Sequence, residues 1–364
     1  MDANAMSDFF FGREFEIDTC WDALARGESL LVLGPRRIGK TELCRKLVAK
    51  ATKDGWRAAL VDISGAASED AAIEDIESAT HTFLQAAAAI ARKVKLTATG
   101  IGNVEVVQTP WTQRGLTRFQ SLGNGEAPAL LVLDEVPVFV QRLLRADNER
   151  GECWLHAFRA WRQLAPSLRI IVAGSIGLNT LAERHRLTTT INDLKPFRLD
   201  PFQPAQALEL IDAMCRSRNI RIEPSARDHL LAVVGWHVPY YFEQLLDSAQ
   251  QAIRSRHIAA AADIDAGLER LLANNGSFLC HWRDRLDEHG KAEAGHMRAM
   301  LGKLAVSADG LPRSRLGSRK DRLIDHHLQL LADEGYIALE DASTPNYRFR
   351  SSLVRLWWQR RGAR

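Results

Sequence analysis

Cysteine is scarce in this chain, and what there is lies scattered. Cys20, Cys44, Cys153, Cys215 and Cys280 include no CxxC pair among 364 residues. Their odd number argues against a disulfide framework, and their spacing against a zinc site or a redox dithiol. A reducing, cytoplasmic setting is the expectation. Long apolar runs are missing too. The most apolar helical stretch, Phe83 to Ala91, is mostly alanine and too short to cross a bilayer, so no membrane partner is expected. The first residues carry Asp2 and Asp8 rather than a basic cluster before an apolar core, unlike a secretory signal. Nor does one sign of charge dominate: 48 lysines and arginines stand against 45 acids, a net +3. The excess lies late, with 16 basic residues against 11 acidic ones from Cys280 to Arg364. There is no internal repeat and no low-complexity tail.

What is present is ordinary for a globular protein: 46% hydrophobic and 26% charged residues, in a length that suits two or three domains. Glu14 to Arg26 is amphipathic. Ser29–Leu33 is a short apolar run that stops at Gly34, as a buried parallel strand does. A helix from Lys40 to Lys53 and a strand from Trp56 to Ile63 follow. Residues 69–96 look helical, and residues 97–128 are irregular apart from a short helix near Thr112 to Ser121. Ala129–Leu133 and Leu168–Ala173 are further strands, with a helix near Trp154 to Leu164 between them. Four strands alternating with helices place the chain in the α/β class, with a parallel sheet in a three-layer core. After Pro201 no strand is expected until residue 336. Helices are read at 204–218, 225–234, 240–256 and 263–273, a helical lid. The turn signal Asn274-Asn275-Gly276 marks a boundary. Helices near 281–288, 292–306 and 321–334, then strands at 336–339 and 347–350, make a winged-helix pattern. The expected domains are a core at 1–200, a lid at 201–275 and a winged helix at 276–364.

The chemistry concentrates in the core. Gly34-Pro35-Arg36-Arg37-Ile38-Gly39-Lys40-Thr41 fits GxxxxGK[ST] at every fixed position, directly after an apolar strand and at the start of a helix. Such a loop wraps phosphate oxygens with backbone N–H groups, and the helix N-terminus adds favourable partial charge. Lys40 is expected on the β/γ-phosphates of ATP and the Thr41 hydroxyl on Mg²⁺. Leu130-Leu131-Val132-Leu133-Asp134-Glu135 carries Asp134 to the carboxyl edge of the sheet, where it can serve the Mg²⁺ site. Glu135 is placed to polarise the attacking water; the alternative is a solvated helix-cap carboxylate. Ser175, after Ile170–Gly174, is a candidate γ-phosphate sensor, with Asn179 in reserve; equally, it is a turn residue.

The order of Phe11-Gly12-Arg13-Glu14, the phosphate loop, Leu133-Asp134-Glu135 and Ala173-Gly174-Ser175 resembles that of the AAA+/STAND-like ATPases, most closely the archaeal-type ATPases with bacterial relatives. Asn192–Leu199 is similar to that family's segment between sheet and lid. Tyr347-Arg348-Phe349 with Leu356-Trp357-Trp358 is similar to its winged-helix ending. The resemblance implies that Gly12 and Arg13 pack near the adenine. It implies that Gly235-Trp236-His237-Val238-Pro239-Tyr240 is a lid motif contacting base or phosphates through Pro239, although glycine and proline stand further apart here than in the shortest form. The other reading is a helix-ending glycine and a helix-starting proline. Arg36 and Arg37 would face phosphate or a neighbouring subunit. Arg184, Arg186 and Arg198 are arginine-finger candidates or plain surface residues. Trp357 and Trp358 read as packing anchors, and the histidines near the end form no metal pattern. The function implied is an ATP-hydrolysing switch or motor subunit, as a homo-oligomer or with a protein effector. The alternative is an ATP-controlled DNA-binding regulator or loader with negligible turnover. Residues 313–322, with five basic side chains, are the candidate contact to duplex DNA; the other reading is a solvated basic loop on a winged helix that serves only as a protein contact.

Overall fold

The computed structural model describes residues 11–81, 109–125, 127–174, 177–253, 256–273, 279–317, 322–340 and 346–362. Two compact units divide the chain, one ending at Leu199 and the other beginning at Asp200.

Five parallel strands organise the first unit: β1 (Ser29–Leu33), β2 (Arg57–Asp62), β3 (Ala129–Asp134), β4 (Leu168–Ala173) and β5 (Leu194–Arg198), in the order β2-β3-β4-β1-β5. The inner strands are apolar because both of their faces are covered. Every residue of β3 is buried. The helices are α1 (Glu14–Ala25), α2 (Lys40–Lys53), α3 (Glu69–Ala79), α4 (Pro110–Gly123), α5 (Val136–Ala146), α6 (Asn148–Leu164) and α7 (Leu178–Arg184). An aromatic layer joins α4 to α6. Phe119 meets Phe158 and Trp161, Trp111 meets Trp154 and Trp161, and Trp161 Nε1 donates to Thr112 O at 3.1 Å.

The four expected strands are all present, and the structure adds a fifth. β5 escapes the apolar-run criterion because it is an edge strand, paired among the described residues only with β1, and its Lys195, Pro196 and Arg198 are exposed. Charges and proline are what edge strands tolerate. The helix α5 was also not expected. Its first residues, Val136-Pro137-Val138-Phe139-Val140, are apolar throughout, so after Asp134 and Glu135 no helical periodicity sets them apart from a strand. The expected helix at 154–164 begins earlier, at Asn148, with the Asp147 side chain accepting from Glu149 N. Of the stretch 69–96, the helix α3 is described to Ala79; most of the remainder, and much of 97–128, lies outside the described residues.

The second unit opens with four helices: α8 (Pro204–Ser217), α9 (Pro224–Val234), α10 (Pro239–Ile253) and α11 (Ala261–Ala273). Three of them start at proline, whose missing N–H is surplus in a first turn. Two-residue strands β6 (Arg221–Ile222) and β7 (Ile258–Ala259) pair between them, too short to leave an apolar signature. Then come α12 (Cys280–Asp284), α13 (Lys291–Ala305), β8 (Leu311–Pro312), α14 (Arg313–Leu316), α15 (Arg322–Asp333), β9 (Ile337–Glu340), β10 (Asn346–Phe349) and α16 (Ser352–Trp357). The last three strands form an antiparallel sheet in the order β8-β10-β9. The boundary signal Asn274-Asn275-Gly276 lies outside the described residues. Contacts cross it within the unit: Ser351 Oγ donates to Val234 O at 3.0 Å, and Trp236 lies 6.5 Å from Trp282 between ring centroids. Trp357 and Trp358 are buried and pack within the unit.

Candidate nucleotide site

The loop between β1 and α2 is shaped by two glycines. Gly34 sits at φ 150°, and a β-carbon there would lie 2.5 Å from Leu199 O, inside any allowed contact. Gly39, the N-cap of α2, is left-handed at φ 104°. Side chains are excluded at both points, so the loop curls back over the helix N-terminus. Ile38 is buried and pins the loop to the core, Arg36 is half-buried, and Arg37 is exposed at φ 64°. Lys40 is 7% exposed and folds across the loop, donating to Gly34 O and Pro35 O at 2.8 Å each. A phosphate at the centre of this curl would meet the ammonium and the loop amides together.

Because β4 separates β1 from β3, the tips of β1 and β3 are two strand spacings apart, about 10 Å. The first turn of α2 closes that distance. Thr41 Oγ1 donates to Asp134 Oδ2 at 2.6 Å. The other oxygen of Asp134 accepts the Glu135 N–H at 2.9 Å. Asp134 is 3% exposed. Burial pushes its carboxyl up from the usual range, opposed by the Thr41 hydrogen bond and seconded by the charge of Glu135; the Glu135 N–H and Asp62 add smaller, opposite effects. A hydroxyl and a buried carboxylate are hard oxygen donors of the kind Mg²⁺ prefers, with remaining positions left to phosphate and water. The donor set therefore fits that ion.

Glu135 precedes α5 in the left-handed region, φ 56° and ψ 27°, which costs a non-glycine residue about 1–2 kcal/mol. It stands at the N-cap of α5, where its side chain makes no cap hydrogen bond. Its carbonyl accepts from Val138 N and Phe139 N at 3.1 and 3.3 Å. A third acid, Asp62, ends β2 in register with Asp134. It is exposed, and its Oδ1 accepts from Ser64 N at 2.8 Å. Sequence reasoning passed over Asp62, although its place at the end of an apolar strand was a usable signal.

The remaining expected residues divide. Gly12 (φ 63°) and buried Arg13 stand before α1, and Arg13 pairs with Glu16 at 2.5 Å. Ser175 lies outside the described residues; Asn179 is half-buried on α7. Arg184, Arg186 and Arg198 are exposed. In the second unit Gly235 ends α9 at φ 69° and Pro239 opens α10, as the helix-punctuation reading expected. Among the described residues no group of three His, Cys, Asp or Glu side chains is arranged to hold a metal ion, and no helix is long and apolar enough to cross a membrane.

A parallel sheet with a strand inserted between the phosphate loop and the acid-tipped strand defines a P-loop NTPase of the AAA+/STAND type. The family model of novel STAND NTPase 1 matches residues 3–239, and the chain belongs to that family. The fold is similar to a Walker-type ATPase of Pyrococcus abyssi, at TM-score 0.66 and 16% identity over 97% of each chain. It is also similar to the ORC2 protein of Aeropyrum pernix solved in ADPNP–ADP complexes, at TM-score 0.56 and 14% identity, covering 97% of this chain and 95% of that one. No curated protein matches the chain in sequence.

Proposed function

We propose that this chain binds Mg-ATP at residues 34–41 and hydrolyses it to ADP and phosphate, as a switch or motor subunit. The observation that carries the reading is the 2.6 Å bond from Thr41 to Asp134, which joins the phosphate loop to the acid tip across β4. Loop amides from Gly34 to Thr41 and the N-terminus of α2 take the phosphate oxygens, and Lys40 the β/γ-phosphates. Thr41 and Asp134 would hold Mg²⁺, which when bound would supply positive charge against that of the phosphates. Glu135 directs the water. Gly12 and Arg13 serve the adenine, with Ser175 and Pro239 as further nucleotide contacts by family resemblance. The working parts are a core at 1–200, a lid at 201–275 and a winged helix at 276–364, in a cytoplasmic protein acting as a homo-oligomer or with a protein effector. Replacing Glu135 by glutamine should leave ATP bound and slow steady-state phosphate release at least tenfold, about 1.4 kcal/mol of transition-state stabilisation. Wild-type turnover in Glu135→Gln would move the water-directing role to another residue.

A second reading is a DNA-binding regulator with negligible turnover. Arg315, exposed on α14 in the most basic quarter of the chain, favours it. Arg313 counts against it: its guanidinium is already bonded to both carboxylate oxygens of Asp325. So does α15, which has no lysine or arginine after Arg322 and exposes Leu323, Asp325, His326 and Gln329. Turnover measured with and without duplex DNA separates the readings: hydrolysis independent of DNA supports the first.

A further inference from the structure

The tip of β4 stands between the phosphate loop and the acids, and Gly174 closes it. Gly174 is buried. A β-carbon built on it would lie 2.4 Å from Pro137 Cδ, 2.7 Å from Pro137 Cγ and 3.6 Å from Glu135 Cα. The first two separations are far inside contact distance. The backbone of Gly174 is not among those at positive φ, so its conformation would accept alanine. What forbids a side chain is the ring of Pro137 alone. That ring cannot rotate aside as a long side chain would. It is buried in the first turn of α5, where it is held by the helix it starts.

Glu135 lies two residues before Pro137 and keeps its left-handed backbone only while its surroundings over-determine it. Three features do so. Its N–H is held by Asp134 Oδ1, its carbonyl by the first amides of α5, and the start of α5 by the seating of Pro137 on Gly174. The sign of φ decides the side of the chain from which the carboxylate departs. We propose that Gly174 and Pro137 form a steric lock that fixes the backbone of Glu135, making Gly174 a positioning residue for hydrolysis. The lock rests on the reading of Glu135 as the water-directing carboxylate. It acts on that residue and leaves Lys40 and Thr41, on α2, in place.

Steady-state kinetics and titration with a non-hydrolysable ATP analogue test it. Gly174→Ala should lower kcat at least about tenfold while KM and analogue affinity stay within about twofold of wild type. Pro137→Ala removes Cγ and Cδ, the atoms that the new methyl would strike. Gly174→Ala/Pro137→Ala should therefore turn over faster than Gly174→Ala alone. Wild-type kcat in Gly174→Ala overturns the lock. So does a double variant whose loss is the product of the two single losses, because independent sites combine that way. Should Gly174→Ala fail to fold, Pro137→Ala decides: reduced kcat at retained affinity supports the lock, and wild-type kcat overturns it. A wild-type protein that binds ATP without turning it over overturns both the lock and the reading of Glu135.

Discussion

Two of the three ammonium protons of Lys40 are taken by the carbonyls of Gly34 and Pro35. Phosphate oxygens are charged and accept more strongly than carbonyls, so a phosphate bound in the loop would exchange the ammonium's weaker acceptors for stronger ones. Lys40→Ala removes that exchange and leaves the phosphate charge without its nearest cation. Tight binding of a non-hydrolysable ATP analogue should vanish in calorimetric titration, and unchanged affinity would refute the assignment. The residues Lys40, Thr41, Asp134 and Glu135 were legible in the sequence because each is fixed by a short local spacing beside an apolar strand. Gly174 was not, and of Asp62 only its place at the end of an apolar strand was. Their relation to the site comes from strand order, with β4 inserted between β1 and β3 and β2 laid beside β3. No spacing along the chain encodes that order.

Between elements, charged side chains do much of the fastening. Arg162 on α6 donates through Nε and Nη2 to both oxygens of Asp193 at 2.9 and 2.7 Å, and through Nη2 to Thr190 O at 2.6 Å. Its guanidinium also lies 4.4 Å from the Phe158 ring centroid. It thereby ties α6 to the turn that leads into β5. Arg162→Ala should cost about 3 kcal/mol in urea denaturation, the lower end for breaking a buried pair, because Asp193 keeps some contact with water. A second fastening joins α3 to α6: Arg150 Nε and Nη2 hold the two oxygens of Glu69 at 2.9 and 2.5 Å. The Arg150 hydrogen bonds keep the Glu69 carboxyl below its ordinary value of 4.5, against the opposing pull of burial. A folded-state pKa below the unfolded one stabilises the protein above the unfolded value and ceases to do so as pH falls through the folded one. Thermal stability of the wild type should therefore decline as pH drops below about 4.5, and Glu69→Gln should decline less over the same interval. These fastenings were invisible in the sequence, since their hydrogen bonds join residues 28 to 81 apart. The helices of residues 204–273 were legible nearly to their ends; proline marks three of the four starts and Gly235 the end of α9. At α5 the mark exists, Pro137 in the first turn, but the apolar residues 136–140 around it carry no helical periodicity.

On the scale of the whole molecule, the basic quarter of the sequence falls in the second unit and the phosphate loop in the first. Substitutions in that quarter leave the residues of the phosphate loop unchanged. Arg319 and Lys320 lie outside the described residues, and Arg315 is exposed. If the run 313–322 contacts DNA phosphates, affinity for two unrelated duplexes should fall alike and steeply with salt. Exchanging Arg315, Arg319 and Lys320 together for alanine should then weaken both and flatten the dependence, with ATP-analogue affinity unchanged. Fluorescence anisotropy reads all of this, and an absence of binding by the wild type at low salt would make the C-terminal elements a protein-docking module.

The flank of the sheet formed by β5 bears on how copies of this protein can meet. A strand of five residues that carries a proline and two cations is a poor template for a strand from another molecule. Ring or filament assembly by continuing the sheet from one subunit into the next is disfavoured along that flank. Subunits that gather around a shared nucleotide would have to meet through helices and loops instead, contacts that can loosen and reform as the ligand changes without unzipping a backbone ladder.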